Sequence, residues 1–235
     1  MISIEERTAQ CFTHHATETP PVTIHLVCQS TFDVWLGQQP SRLAQQLSAH
    51  GFCGRNQTMA LILQDNRLDA VYVGCESSQD HMIFGWLVNQ LPAGEYCVAD
   101  EHRPILPMLA LAWGMGAYRF DRYTDRSPVS EAKLCIDDAI ATDVSVALSG
   151  TYLVRDLINT PAQDMLPHHL VDQAKLLAKS CQAKCQVTSG DKLLKQGLNA
   201  IHTVGRASEA EPHLIDLSWG DESHPKLTLI GKGVC

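Results

Sequence analysis

Apolar positions recur along the chain with two periods. Residues 22–28, Val-Thr-Ile-His-Leu-Val-Cys, alternate and are rich in β-branched side chains. They predict a strand with Val22, Ile24, Leu26 and Cys28 on one face. Leu43 and Leu47 then fall on one helical stripe behind Ser41, a residue type that caps helices, and Gly51 ends the pattern. Strands are predicted over 58–63 and 70–75, around a turn at Asn66-Arg67-Leu68-Asp69. Asp80 starts an amphipathic helix carrying Met82, Ile83, Trp86 and Leu87, which Pro92-Ala93-Gly94 stops. A strand at 95–99, a largely buried helix at 106–115 and a strand at 133–136 follow. Strand and helix patterns alternate, which is the mark of an α/β fold.

A second run follows residues 121–130, a charged stretch containing Pro and Ser. Leu148, Tyr152, Leu153 and Leu157 recur at helical spacing in a long helix that begins near Asp138 and must end before Asn159-Thr160-Pro161. Pro167 suits the first position of the next helix, whose predicted buried stripe is Leu170, Ala174, Leu177 and Ala178. Strands are predicted at 184–188, 213–219 and 226–230, with a short helix at 191–196 ended by Gly197. The last strand leads into Gly231-Lys232-Gly233. The expected organisation is an amino-terminal α/β domain at 1–130 with a mixed sheet and flanking helices, a linker helix at 138–158, and the front part of a second α/β domain at 159–235.

Composition narrows the classes of function. Of 235 residues, 45% are apolar and 19% charged, enough to bury a sizeable core and to exclude global disorder. There are 18 Lys+Arg against 26 Asp+Glu, for a net charge of -8, and no clustered basic stretch. Nucleic acid is therefore not an expected partner. Nine cysteines, an odd number sitting mostly inside apolar runs, read as small buried hydrophobes in a reducing compartment, not as a disulfide framework. Cys181 and Cys185 lack the second Cys/His pair that a structural zinc site needs. The start of the chain lacks a signal-peptide pattern. The longest apolar stretch, 105–118, is broken by Pro107, Gly114 and Gly116 and is too short to span a bilayer. No membrane partner and a cytoplasmic location are expected.

Few residues announce chemistry. Gly231-Lys232-Gly233 is not a phosphate loop, because no Gly-rich run precedes the lysine and Gly233 stands where Ser or Thr would hold magnesium. Two readings of it stay open. Either Lys232 reaches solvent between turn glycines, or the glycines admit a ligand and Lys232 points into a site at the strand's carboxyl end. Gly114-Met115-Gly116 lacks the third glycine of a dinucleotide fingerprint and is better explained by helix packing. The adjacent pairs His14-His15 and His168-His169 diverge on any regular element, and Pro167 between Asp164 and His168 favours a surface cap over a metal site. Asp137-Asp138 leads into the long helix, where its charge favours the amino-terminal dipole. By residue chemistry alone the chain has no assembled active site.

The segment 152–165, Tyr-Leu-Val-Arg-Asp-Leu-Ile-Asn-Thr-Pro-Ala-Gln-Asp-Met, resembles the Arg-Asp-Leu-Val-Asn-Thr-Pro-Ala-Asn-Asp-Met signature of the leucyl aminopeptidase (cytosol aminopeptidase) family. Val204-Gly205-Arg206-Ala207-Ser208 is similar to that family's Val-Gly-(Arg/Gln)-Gly-Ser, and 227–235 to the strand that enters its metal site. The family continues with Phe-Asp-(Ser/Thr)-Gly-Gly, and this chain stops one residue short of that phenylalanine. Three departures stand out: Gln163 for Asn, Ala207 for Gly, and Leu166 where a Thr often caps the next helix. The last removes a cap worth about 1 kcal/mol, partly offset by Pro167.

The resemblance implies a metal-dependent aminopeptidase that removes amino-terminal residues, with a leucine-type preference, from peptides with free amino termini. It implies two divalent metals, zinc, or manganese or magnesium at one site, acting by two-metal hydrolysis. It also implies a homo-oligomer, a hexamer in the family. The position of Lys232 is a metal ligand in that family. A lysine ligates only as the neutral amine, which requires burial and nearby cations to displace its proton. The remaining ligands are expected beyond Cys235, so no metal and no activity are expected of this chain alone. The alternative from another class is a non-catalytic binding or assembly module derived from the same amino-terminal domain. A third reading, a nucleotide or ADP-ribose binder, finds no Gly-rich phosphate loop in 1–130.

Overall fold

A computed structural model of the chain describes residues 3–13, 20–77, 82–124 and 130–233. His14, His15 and Asp80 lie outside the described residues, as do 125–129 of the expected interdomain stretch. The chain divides into two units, Met1–Val154 and Arg155–Cys235.

The first unit runs α1 (Ile4–Ala9), β1 (Phe12–Thr13), β2 (Val22–Cys28), α2 (Phe32–Gly37), α3 (Ser41–Ala49), β3 (Met59–Gln64), β4 (Arg67–Cys75), α4 (Ile83–Leu87), β5 (Gly94–Val98), α5 (Leu106–Ala117), β6 (Ala132–Cys135) and α6 (Asp138–Asn159), the last crossing into the second unit. Its six strands lie in the order β1-β6-β5-β2-β4-β3. All pairings are parallel except β3 with β4, so the sheet is mixed, as expected.

A parallel sheet must be covered on both faces, and the alternation in each strand decides which side chain meets which cover. Ile24 and Leu26 of β2 join Val71 and Val73 of β4 in a core beneath α4, α5 and α6, with Val22 and Cys28 packed at its edge. That is the face read from the sequence. Val27, Ala70 and Tyr72 point the other way, into a smaller core with Phe32 and Leu47. α5 is buried nearly all round, and glycines let it approach its neighbours: a Cβ on Gly116 would lie 2.6 Å from the Gly85 Cα, and one on Gly114 2.9 Å from Leu148 Cδ2. The Gly-Met-Gly segment is thus a helix-packing device.

Several local expectations are corrected. Ser41 is the first residue of α3 and caps nothing, because Pro40 holds the cap position with extended backbone. The other end of α3 closes as read. Gly51, at φ +64°, donates its N–H to Ser48 O and Phe52 donates to Leu47 O, which satisfies two terminal carbonyls. The β3–β4 turn sits at Asp65-Asn66, both with positive φ, and not at 66–69. Two residues of that kind match the twist of the flanking strands, so Arg67–Asp69 join β4. α4 is five residues long and passes into turns before Pro92.

In the second unit, α7 (Pro167–Ser180), β7 (Lys184–Ser189), α8 (Asp191–Lys195), α9 (Asn199–Gly205) and β8 (His213–Ser218) follow α6. β7 and β8 pair antiparallel. The buried stripe of α7 is centred on Val171 and Ala178, and Leu177 is exposed. At 100° per residue Leu177 lies about a quarter-turn from that line, so the apolar residue chosen from spacing was on the flank. Residues 226–230 form no strand: they are irregular and exposed, with Leu227 at 83%, Leu229 at 86% and Ile230 at 95%. An apolar, extended segment becomes a strand only by pairing its backbone, and among the described residues none pairs with it.

Candidate functional site

Lys232 follows that segment and is exposed. A Cβ on Gly231 would meet nothing within 4 Å, so nothing described makes a close approach there, whereas one on Gly233 would lie 3.1 Å from Leu170 Cδ1. Among the described residues no three His, Cys, Asp or Glu side chains gather to hold a metal. A lysine in solvent without carboxylates beside it does not hold a divalent ion, so the described residues do not by themselves fit a metal pair.

The segment 152–165 is built into the fold by its ends. Tyr152 is buried; its hydroxyl donates to Gly114 O at 2.6 Å, and the Arg7 guanidinium stands 5.1 Å from its ring centre. At the helix end, Asp156 O accepts from both the amide of Thr160 (3.0 Å) and its hydroxyl (2.7 Å), so the buried Thr160 closes α6 before Pro161. A short 3-10 turn, Ala162–Asp164, then leads to α7.

Leu166 holds the cap position of α7 without a side-chain acceptor, and His169 compensates. Its Nδ1 accepts from the Leu166 N–H at 2.9 Å, the reverse half of a capping box, which fixes the proton of a neutral ring on Nε2. The His168 and His169 rings lie 4.0 Å apart and so do not diverge as expected, and His169 alone makes the bond at the helix start. Asp137 acts similarly at α6, accepting from the Ile140 N–H at 2.9 Å.

Open parallel sheets bind ligands in the crevice at the carboxyl ends of their strands, where the connections diverge. Here that place lies between β2 and β5, and it is filled. After Ala99 donates to Ile24 O, the chain turns into a 3-10 helix, Asp100–Ile105, which carries the buried His102 against β2. The Leu26 N–H donates to His102 Nε2 at 3.0 Å. Glu101 reaches His25 Nδ1 at 3.6 Å, and the His25 ring stacks on Tyr72 at 4.8 Å. Burial, together with the His25 ring, holds His102 below the ordinary histidine range although the Glu101 carboxylate pulls it the other way. Sequence patterning did not single out this plug. The signal was present only as a histidine just past a strand end. A groove of about 440 Å³ is lined by Gln10, Gly94, Glu95, Glu131 and Lys133 at the opposite, amino-terminal end of β5 and β6.

Comparison with known proteins adds what the geometry lacks. Residues 22–137 match the M17 aminopeptidase N-terminal domain, and residues 152–235 match the catalytic domain of the cytosol aminopeptidase family. A probable cytosol aminopeptidase of Alkalilimnicola ehrlichii is 32% identical over 216 residues, covering 76% of this chain and 43% of the relative. The crystal structure of a cytosol aminopeptidase from Coxiella burnetii superposes with a TM-score of 0.84 at 33% identity, over 92% of this chain and 47% of that one. A bottromycin maturation enzyme, BotP, solved in complex with Mn, shares the fold at 22% identity and a TM-score of 0.68, over 86% of this chain and 45% of that one. The chain thus spans about half the length of the relatives it matches. No described helix is long and apolar enough to cross a membrane.

Proposed function

The chain belongs to the cytosol aminopeptidase (M17) family, and from that premise we propose that it supplies the amino-terminal domain and the front of the catalytic domain of a metal-dependent aminopeptidase. The observation that carries this reading is the pair of collinear family matches, one on each side of the α6 start, together with the 152–165 motif set at the end of that helix. We divide the chain accordingly into a domain at 1–130, a linker helix at 138–158 and a catalytic portion from 159. The substrates are peptides with free amino termini, with a leucine-type preference. The protein works in the cytoplasm as a homo-oligomer, a hexamer by family resemblance.

Lys232 is assigned as a metal ligand, with zinc, manganese or magnesium as the ions and two of them the expected number. Among the described residues no group of three His, Cys, Asp or Glu side chains completes such a site. What Lys232 brings is a single donor between two glycines, after a run whose Leu227, Leu229 and Ile230 are exposed. The exposed apolar run before it would be covered once that segment pairs with further strands. The second reading is a non-catalytic binding or assembly module derived from the same family's amino-terminal domain.

Substitution tests the assignment of Lys232. In a protein that continues through the missing ligands, Lys232→Ala is expected to lower metal content and to cut hydrolysis of a leucine amide by about 100-fold or more. Lys232→Arg is expected to do no better, because a guanidinium stays protonated and has no lone pair to give. Wild-type metal content and activity in Lys232→Arg would overturn the assignment.

A further inference from the structure

The ends of two neighbouring strands bring two thiols together. Cys28 and Cys75 are the last register pair of the parallel strands β2 and β4, and their Sγ atoms lie 3.4 Å apart. Both face the larger core, Cys75 fully buried and Cys28 half-buried at its margin. The backbone around them is tightly held: a Cβ on Gly54 would lie 3.1 Å from Gln29 N, and one on Gly74 2.7 Å from the Arg55 carbonyl carbon. Paired strands stand about 4.8 Å apart, within the Cα spacing of about 4.4–6.8 Å that a disulfide spans. The sulfurs must close from 3.4 Å to about 2.04 Å for the bond to form.

We propose that Cys28 and Cys75 form a reversible dithiol–disulfide pair, oxidised by hydrogen peroxide. Cys28, the accessible member, reacts first as the thiolate. Its sulfur bonds to one peroxide oxygen, the O–O bond breaks, and the departing hydroxide takes up the thiol's proton as water, leaving a sulfenic acid. The Cys75 sulfur then attacks Cys28 Sγ. The S–S bond forms, the S–O bond breaks, and the hydroxyl leaves with the Cys75 proton as a second water. Two thiols and one peroxide become one disulfide and two waters, and the two electrons given up by sulfur are taken up by the peroxide oxygens.

The other thiols set the contrast. Burial pushes the Cys11 thiol up, and burial with Glu95 and Cys97 beside it pushes Cys135 up to about 11, so both stay protonated and unreactive. Cys181 is exposed, and its sulfur meets the Ser180 hydroxyl at 3.7 Å. It is open to peroxide, and among the described residues no thiol pairs with it to resolve a sulfenic acid. This inference is independent of the peptidase reading.

The test is peroxide treatment of the full chain, followed by differential alkylation and peptide mass spectrometry. A Cys28–Cys75 linked peptide is expected, about 2 Da lighter than the sum of its parts and restored by dithiothreitol. Alkylation of both residues is expected to fall together, about tenfold, while Cys181 goes on to sulfinic acid. Cys75→Ser is expected to abolish the link and leave a Cys28 sulfenic acid that dimedone captures. Should the buried serine unfold the chain, Cys28→Ser serves instead, and Cys75 is then expected to stay unoxidised. Full alkylation of Cys28 and Cys75 under conditions that oxidise Cys181 would overturn the proposal, as would a Cys28 link to any other cysteine.

Discussion

His102 ties the irregular segment after β5 to the middle of β2 through one backbone hydrogen bond, and its ring must keep a lone pair on Nε2 to accept it. Protonation takes that lone pair away. The folded-state pKa is lowered, burial being the largest cause, so the unfolded chain binds the proton more readily. The associated stability is fully present above the unfolded value of about 6.5 and is lost as the pH falls through it toward the lower folded value. A denaturation midpoint that drops between pH 7.5 and pH 5 in the wild type, and drops less in His102→Gln, is expected. An equal drop in both would assign the pH effect elsewhere. At this scale the sequence was nearly silent. Nothing in the string around His102 marks it as a plug, and Cys28 and Cys75 are 47 positions apart, joined only by the register of two strands.

Elements were far more legible than single contacts. The alternation in 22–28 identified both β2 and its core face, and Pro167 marked the start of α7, because such signals are local and made by the backbone itself. Where the reading slipped, a neighbour decided. The β3–β4 turn shifted to Asp65-Asn66, where two positive φ angles fit a hairpin. Residues 226–230 have strand composition but no described partner edge. One glycine of α5 and one of α6 give a test of helix packing with opposite signs. Gly116→Ala places a methyl against the backbone of Gly85, which cannot move aside as a side chain can, and should cost about 1–3 kcal/mol. Gly150→Ala, on the exposed face of α6 with open space around it, should stabilise by about 0.5–1 kcal/mol. Urea unfolding of both variants would check the pair; a neutral Gly116→Ala would mean the α4–α5 approach is looser than described.

For the whole molecule, fold and function were legible by different routes. The alternation of elements announced α/β architecture, and a Coxiella burnetii cytosol aminopeptidase carries the same fold. Function was legible only through the 152–165, 204–208 and 227–235 motifs, because a site assembled from distant segments leaves no local period. Lys232 is the single residue those motifs offered, and it stands exposed, away from any described cluster of metal-binding side chains. The sharpest test is metal content by elemental analysis, alongside leucine release from a chromogenic amide with manganese added. Both would be measured on the pure 235-residue chain and on a protein that continues through the missing ligands. The expected result is no stoichiometric metal and no turnover in the first, with bound metal and turnover in the second. Stoichiometric metal with turnover in the 235-residue chain would contradict this reading and place the active site among residues other than Lys232.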